Sequence, residues 1–384
     1  MIELGTELGP NLEPTGETLS VEPTVFVDDV LVLGAQGAGK TTLGAVIVDQ
    51  LLAEGRPLLV FDTAGDLTDH LAARHGLEIE DGPGPATGPI RLERIGGDIA
   101  RNMFRRPDVE DEYAAEERRE KVAALLGFLG YRVRPASPEF ALLEMIVEGA
   151  VGVDGILHLD SLADTVLMPP FSKLGVFDID TVISSDRRAD LSAAIRGLLQ
   201  SPGFEKDESR GRVTSAELFY TADGSPVARV ISFHARSATV RQFLVAVLLA
   251  EVKAYAARNW TEGDLSVFLY FDEGSSFLPR GGRSLTTAPL LDAISNWGRF
   301  GVGVGLVADE PGMLHEDVED LCETWLVGGM PVGRARRDVV AALDLVNPPI
   351  DEEQLDGMLK RLQTGQFVLR TPRLDRLRYF AVDR

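Results

Sequence analysis

Apolar positions along this chain fall into two kinds of run. Asp29-Val-Leu-Val-Leu33 is continuous and ends in a glycine loop, whereas Thr41 to Leu52 shows helical apolar spacing and stops near Gly55. Pro57-Leu-Leu-Val-Phe61 is again continuous and ends at Asp62. Short continuous runs fit buried strands, and strand, helix and strand within about 35 residues predict a βαβ unit with a parallel sheet. The alternation returns at Pro226 to Phe233. It continues with a long helix from about 239 to 257, a strand from Leu265 to Phe271, a helix at 288–299 and strands at 302–307 and 324–328. Helices near 335–344 and 351–361, then strands at 366–370 and 377–382, close the pattern.

Between the two α/β stretches, over about 76–212, the pattern changes. Gly82-Pro-Gly-Pro85 breaks any element there, and 108–129, 138–150 and 187–200 carry helical spacing. This predicts a mostly helical insertion beside the sheet, with Glu116, Glu117, Arg118, Arg119, Glu120 and Lys121 on the solvated side of its first helix. Residues 1–24, rich in Gly, Pro, Glu and Thr and free of Lys and Arg, read as a tail or short edge element without a core of their own.

Composition narrows the function classes. Across 384 residues, 45% are hydrophobic and 26% charged, as in ordinary globular proteins. No apolar run approaches the roughly 18 residues of a membrane span, and MIELGTELGPNLEP has no secretory signature. Cys322 is the single cysteine, which excludes an intramolecular disulfide and fits a reducing, cytoplasmic setting. The net charge of −22 argues against a nucleic-acid interface spread over the whole surface, though a few arginines facing the bore of a ring remain compatible with it.

The strongest chemistry lies in Gly34-Ala-Gln-Gly-Ala-Gly-Lys-Thr41, which satisfies G-x-x-x-x-G-K-[ST] between a strand and a helix. Glycines let backbone N–H groups wrap phosphates at a helix N-terminus. Lys40 would reach the β and γ phosphates and the Thr41 hydroxyl would ligate Mg²⁺. Gly34, Gln36, Gly37, Ala38, Gly39, Lys40, Thr41 and Thr42 are the candidate contacts for ATP. Val267-Phe-Leu-Tyr-Phe271 followed by Asp272-Glu273 has the Walker B form: Asp272 for the metal shell, Glu273 as general base for water. Asp62, ending the strand after the loop's helix, would position water or metal at the same sheet edge, or would simply brace the turn Asp62-Thr-Ala-Gly-Asp66.

These islands, with Gly298-Arg-Phe-Gly301 and Leu362-Gln-Thr-Gly-Gln366, resemble in order and spacing the HerA branch of the HerA/FtsK motor ATPases. The resemblance implies a RecA-like (ASCE) P-loop α/β domain over 25–384, a hexameric ring, and ATP-driven movement on double-stranded DNA as a translocase or helicase. A nuclease or effector partner would accompany it. It also makes Arg299 a candidate finger acting from a neighbouring subunit on the transferred phosphoryl group, the alternative being an arginine that caps the 288–299 helix. Two departures stand out. The family's N-terminal β-barrel does not fit in 24 residues, and Asp309 stands where a glutamine is expected, so that a carboxylate would face the γ-phosphate. These departures and the acidic surface favour a second expectation, a non-translocating ATPase scaffold or nucleotide switch. A DNA packaging or conjugation ATPase is a third. The five histidines show no metal-ligand spacing, and Arg280, Arg283, Arg334, Arg336 and Arg337 are either solvated surface or a DNA-facing set.

Overall fold

The computed structural model describes residues 1–81, 85–94, 103–105, 111–149, 155–200, 204, 215–233, 237–259, 263–331, 333–343 and 352–383. Its strands are β1 (Ile2–Leu8), β2 (Pro14–Val21), β3 (Val30–Leu33), β4 (Leu58–Asp62), β5 (Glu80–Asp81), β6 (Ile90–Arg94), β7 (Phe104–Arg105) and β8 (Ile156–Leu157) in the first part of the chain. They continue as β9 (Lys173–Leu174), β10 (Phe177–Asp178), β11 (Ala228–Ser232), β12 (Val267–Asp272), β13 (Val302–Ala308), β14 (Thr324–Gly328), β15 (Gln366–Arg370) and β16 (Arg378–Ala381). Twelve of them form one sheet in the order β2-β1-β16-β15-β14-β3-β13-β12-β4-β11-β6-β5. From β14 to β5 every pairing is parallel; from β2 to β14 every pairing is antiparallel.

The central parallel strands β3, β4, β12 and β13 are apolar along almost their whole length because both faces are covered. In β3, Leu31 and Leu33 face one core while Val30 and Val32 face the other. Helices α1 (Lys40–Ala53) and α2 (Asp66–His75) cover the second face through Leu43, Ile47, Leu51, Leu67 and Leu71. The first face carries α3 (Glu112–Phe128), α4 (Pro138–Gly149), α5 (Leu159–Leu167), the short α6 (Ile179–Val182), α7 (Ser185–Leu199), α8 (Ala238–Asn259) and α9 (Thr287–Asn296). The result is a mostly parallel sheet between helical layers, the RecA-like arrangement.

Three expectations change on contact with the structure. Residues 1–24 are an edge element rather than a tail, and they share a core: β1 and β2 extend the sheet, burying Ile2, Leu4, Leu8, Leu19 and Val21, and β1 pairs with β16 from the far end of the chain. The mostly helical segment 76–212 does not lie wholly beside the sheet, because β5 and β6 join the sheet next to β11. Lys121, placed on a solvated face by the sequence, is buried at 1% exposure. It donates to Glu251 (2.8 Å), Glu117 (2.6 Å) and Met103 O (2.8 Å), pinning α3 to α8. Gly82 to Gly84 and 201–203 with 205–212 lie outside the described residues. No described helix is long and apolar enough to cross a membrane.

Candidate nucleotide site

The strand ends that carry the candidate residues meet at one edge of the sheet. β3, β13, β12 and β4 are adjacent and parallel. The glycine loop after β3, Asp309 after β13, Asp272-Glu273 at the end of β12 and Asp62 at the end of β4 therefore share its carboxyl edge, where open α/β sheets bind ligands.

The loop's shape depends on glycine. Gly37 and Gly39 lie in the left-handed region, at φ 81° and 97°, and a Cβ on Gly39 would come within 2.9 Å of Gly365 N. The closing segment fills that space: Gly365 N donates to Ala38 O (2.8 Å) and Thr364 Oγ1 to Gly37 O (2.9 Å). Helix α1 then begins with no capping side chain and no acidic residue in its first turn, whereas α2 carries Asp66 and Asp69 there. The first-turn amides and the positive end of α1 are thus left to an external anion. Lys40 Nζ turns back into the loop, donating to Gly34 O (2.6 Å), Ala35 O (3.3 Å) and Asp309 Oδ1 (2.7 Å). Thr41 and Thr42 stand half-buried in the first turn beside it. This donor set fits a nucleoside triphosphate. The loop amides and Lys40 would hold the phosphates, and Thr41 with Asp272 would hold a Mg²⁺.

The carboxylates are crowded. Asp272 is buried, and its carboxyl is pushed up to about 7, first by loss of water and then by the negative charges of Asp62, Glu273 and Asp66, with Lys40 acting the other way. A bound divalent cation would favour its anionic form. Glu273 sits at the rim with φ 57°, a left-handed conformation that a non-glycine residue adopts at a cost of about 1–3 kcal/mol and that recurs at functional sites. Partial burial raises its carboxyl, and Arg241 on α8 opposes that. No motif marks Arg241. The signal in the sequence is a cation in the first turn of a helix whose next stretch, Phe243 to Ala250, is apolar.

The Asp62 carboxylate is engaged within the chain. Its Oδ1 accepts from Gly65 N (2.8 Å) and its Oδ2 from Thr68 N (2.7 Å) and Thr68 Oγ1 (2.6 Å), with the residue fully buried. Those bonds brace the turn into α2 and satisfy its first amides. Its charge still acts on Asp272 next door.

Arg299 lies just before β13, in a short 3₁₀ turn (Trp297–Phe300), with its guanidinium 4.6 Å from the Phe300 ring centre. It is exposed at the amino edge of the sheet, separated from its own Lys40 by the length of β13, about 20 Å. Arg280, Arg334 and Arg370 converge on a cleft of about 830 Å³, but Glu310, Glu319 and Asp320 line it too. Arg283 is exposed in the same loop as Arg280. Arg336 is engaged with Asp356 (2.6 Å) and the carbonyls of Met330 and Pro331 (3.1 Å each), which gives it a structural task.

The fold is therefore that of a RecA-like P-loop NTPase, with the strand of the glycine loop separated from the Walker B strand by β13. Solved structures share it at low sequence identity. The bacterial conjugative coupling protein TrwBdeltaN70 superposes with a TM-score of 0.61 at 12% identity, covering 99% of this chain and 94% of that one. TrwB in complex with ADP and Mg²⁺ gives 0.59 at 13% identity with the same coverage. VirB4 of Thermoanaerobacter pseudethanolicus gives 0.60 at 10% identity, covering 100% and 96%. No protein-family model and no curated protein matches the chain in sequence.

Proposed function

We propose that this chain is a HerA-like ring ATPase that binds ATP with Mg²⁺, hydrolyses it and moves double-stranded DNA. The observation that carries the reading is the meeting of Lys40, Thr41, Asp272 and Glu273 at one sheet edge, beside a helix N-terminus left open to an anion. Lys40 and the loop amides hold the phosphates, Thr41 and Asp272 hold the metal, and Glu273 takes the proton of the attacking water. Mg²⁺ held by Thr41 and Asp272 would supply positive charge against the phosphate oxygens.

Arg299 is too far from its own site to act there, so its contribution requires a neighbouring subunit, which supports a closed ring, hexameric by the resemblance. The fold is shared with a conjugative coupling protein and with VirB4; the assignment to DNA, and to a nuclease or effector partner, rests on the resemblance of the motifs to the HerA branch. A second reading, an ATPase scaffold or nucleotide switch that does not translocate, is favoured by the −22 charge and by the mixed rather than basic cleft around Arg280. Turnover measured with and without long double-stranded DNA separates the two. A several-fold rise that fades with added salt fits the motor, since phosphate contacts are salt-sensitive. A rate indifferent to DNA transfers the case to the scaffold.

A further inference from the structure

Lys40 has three N–H groups and three acceptors, of which only Asp309 carries a full charge. The lysine side chain is 14% exposed and that of Asp309 54%, so the carboxylate reaches in from the rim to a lysine held inside the loop. Asp309 is not on a free-standing loop. It follows β13 directly and leads into the 3₁₀ turn Pro311–Met313. Leu314 then pairs with Pro279 in an antiparallel bridge, with Arg280 N donating to Met313 O (3.2 Å) and His315 N to Leu278 O (3.0 Å). Leu278 and Leu314 are both buried, which fixes the bridge. The segment 278–280 follows Asp272-Glu273 by only five residues. The partner of Lys40 and the loop bearing Arg280 and Arg283 are thus tied by main-chain hydrogen bonds.

Building on the nucleotide reading above, we propose that Asp309 is a latch on Lys40. Its carboxylate occupies the place of a terminal phosphate, sets how far the site distinguishes triphosphate from diphosphate, and passes its displacement to the loop at 279–283. A γ-phosphate and the Asp309 carboxylate cannot share one ammonium without strong like-charge repulsion. Triphosphate therefore expels Asp309. A diphosphate ends one group short and leaves the ion pair in place. Expulsion frees the turn at 311–313 and, through the 279–314 bridge, the arginine loop. A ligand shifts such an equilibrium only by its difference in affinity for the two states, and the latch supplies that difference.

The test is titration of ADP and of a non-hydrolysable ATP analogue, both with Mg²⁺, into wild type, Asp309→Asn, Asp309→Gln and Lys40→Ala, alongside hydrogen exchange. With the latch removed, the analogue binds about tenfold more tightly while ADP changes less than about twofold. In wild type the analogue, but not ADP, speeds exchange at Arg280 and His315, and both amide variants show that faster exchange without nucleotide. Binding by the amide variants alone, with none by wild type, supports the latch still more directly. Equal changes for both nucleotides, or none, with binding intact, overturn the latch and leave the nucleotide reading standing. Binding of neither nucleotide to any variant overturns both.

Discussion

Asp29 precedes β3 in the left-handed region, at φ 45°, and is 5% exposed. Its Oδ1 accepts from Val304 N at 2.7 Å, tying the start of the glycine-loop strand to β13. Burial holds its carboxyl well above the ordinary 3.8, opposed by the Val304 bond and reinforced by Asp28 and Glu323. A carboxyl raised on folding contributes stability that is complete below its unfolded value and is lost as pH rises through its folded value. Asp29→Asn keeps the acceptor, suits a left-handed φ and removes the charge. It should raise the thermal midpoint at pH 8, and the gain should shrink as the buffer is brought toward pH 4. A gain independent of pH would assign the effect to the backbone alone.

At the scale of elements, α3 and α8 are joined by a buried ion pair rather than by apolar contact alone. Removing Lys121 takes away the ammonium 2.8 Å from Glu251, which is 2% exposed. Lys121→Ala should cost about 3–5 kcal/mol, and Lys121→Met with Glu251→Leu should recover much of it, both read from denaturation midpoints. If Lys121→Ala is neutral, the pair has no part in holding the insertion to the sheet. The same helix shows why reading the sequence reached only so far. Its length and position follow from local apolar spacing, but which member of a charged run turns inward depends on Glu251, 130 residues away. The glycine loop, β12 and β13 were legible because each is specified by contiguous residues. The role of β1 was not, since its partner β16 lies at the other end of the chain. Its place at a strand end left Asp62 open to a catalytic or a bracing part, and the bonds to Gly65 and Thr68 make the bracing visible. Asp309 was visible as a departure; its bond to Lys40 was not.

For the whole molecule the decisive residue is Arg299, exposed at the edge of the sheet opposite the glycine loop. If copies assemble so that Arg299 of one faces Lys40 of the next, Arg299→Ala alone should lower turnover by about 10³-fold or more, as removal of an arginine finger does. Lys40→Ala subunits keep Arg299 and Arg299→Ala subunits keep the loop, so an equal mixture should turn over faster than either alone. A mixture no faster than its parts would place Arg299 outside the reaction.

All of this stands on ATP being hydrolysed at the edge where Lys40, Asp272 and Glu273 meet. Steady-state ATP turnover of wild type beside Lys40→Ala and Glu273→Gln, with Mg²⁺ and with excess chelator, tests that most directly. The account predicts turnover in wild type that needs Mg²⁺, disappears in Lys40→Ala and falls about 100-fold or more in Glu273→Gln. Equal rates in wild type and Lys40→Ala, or no turnover in either, would contradict it.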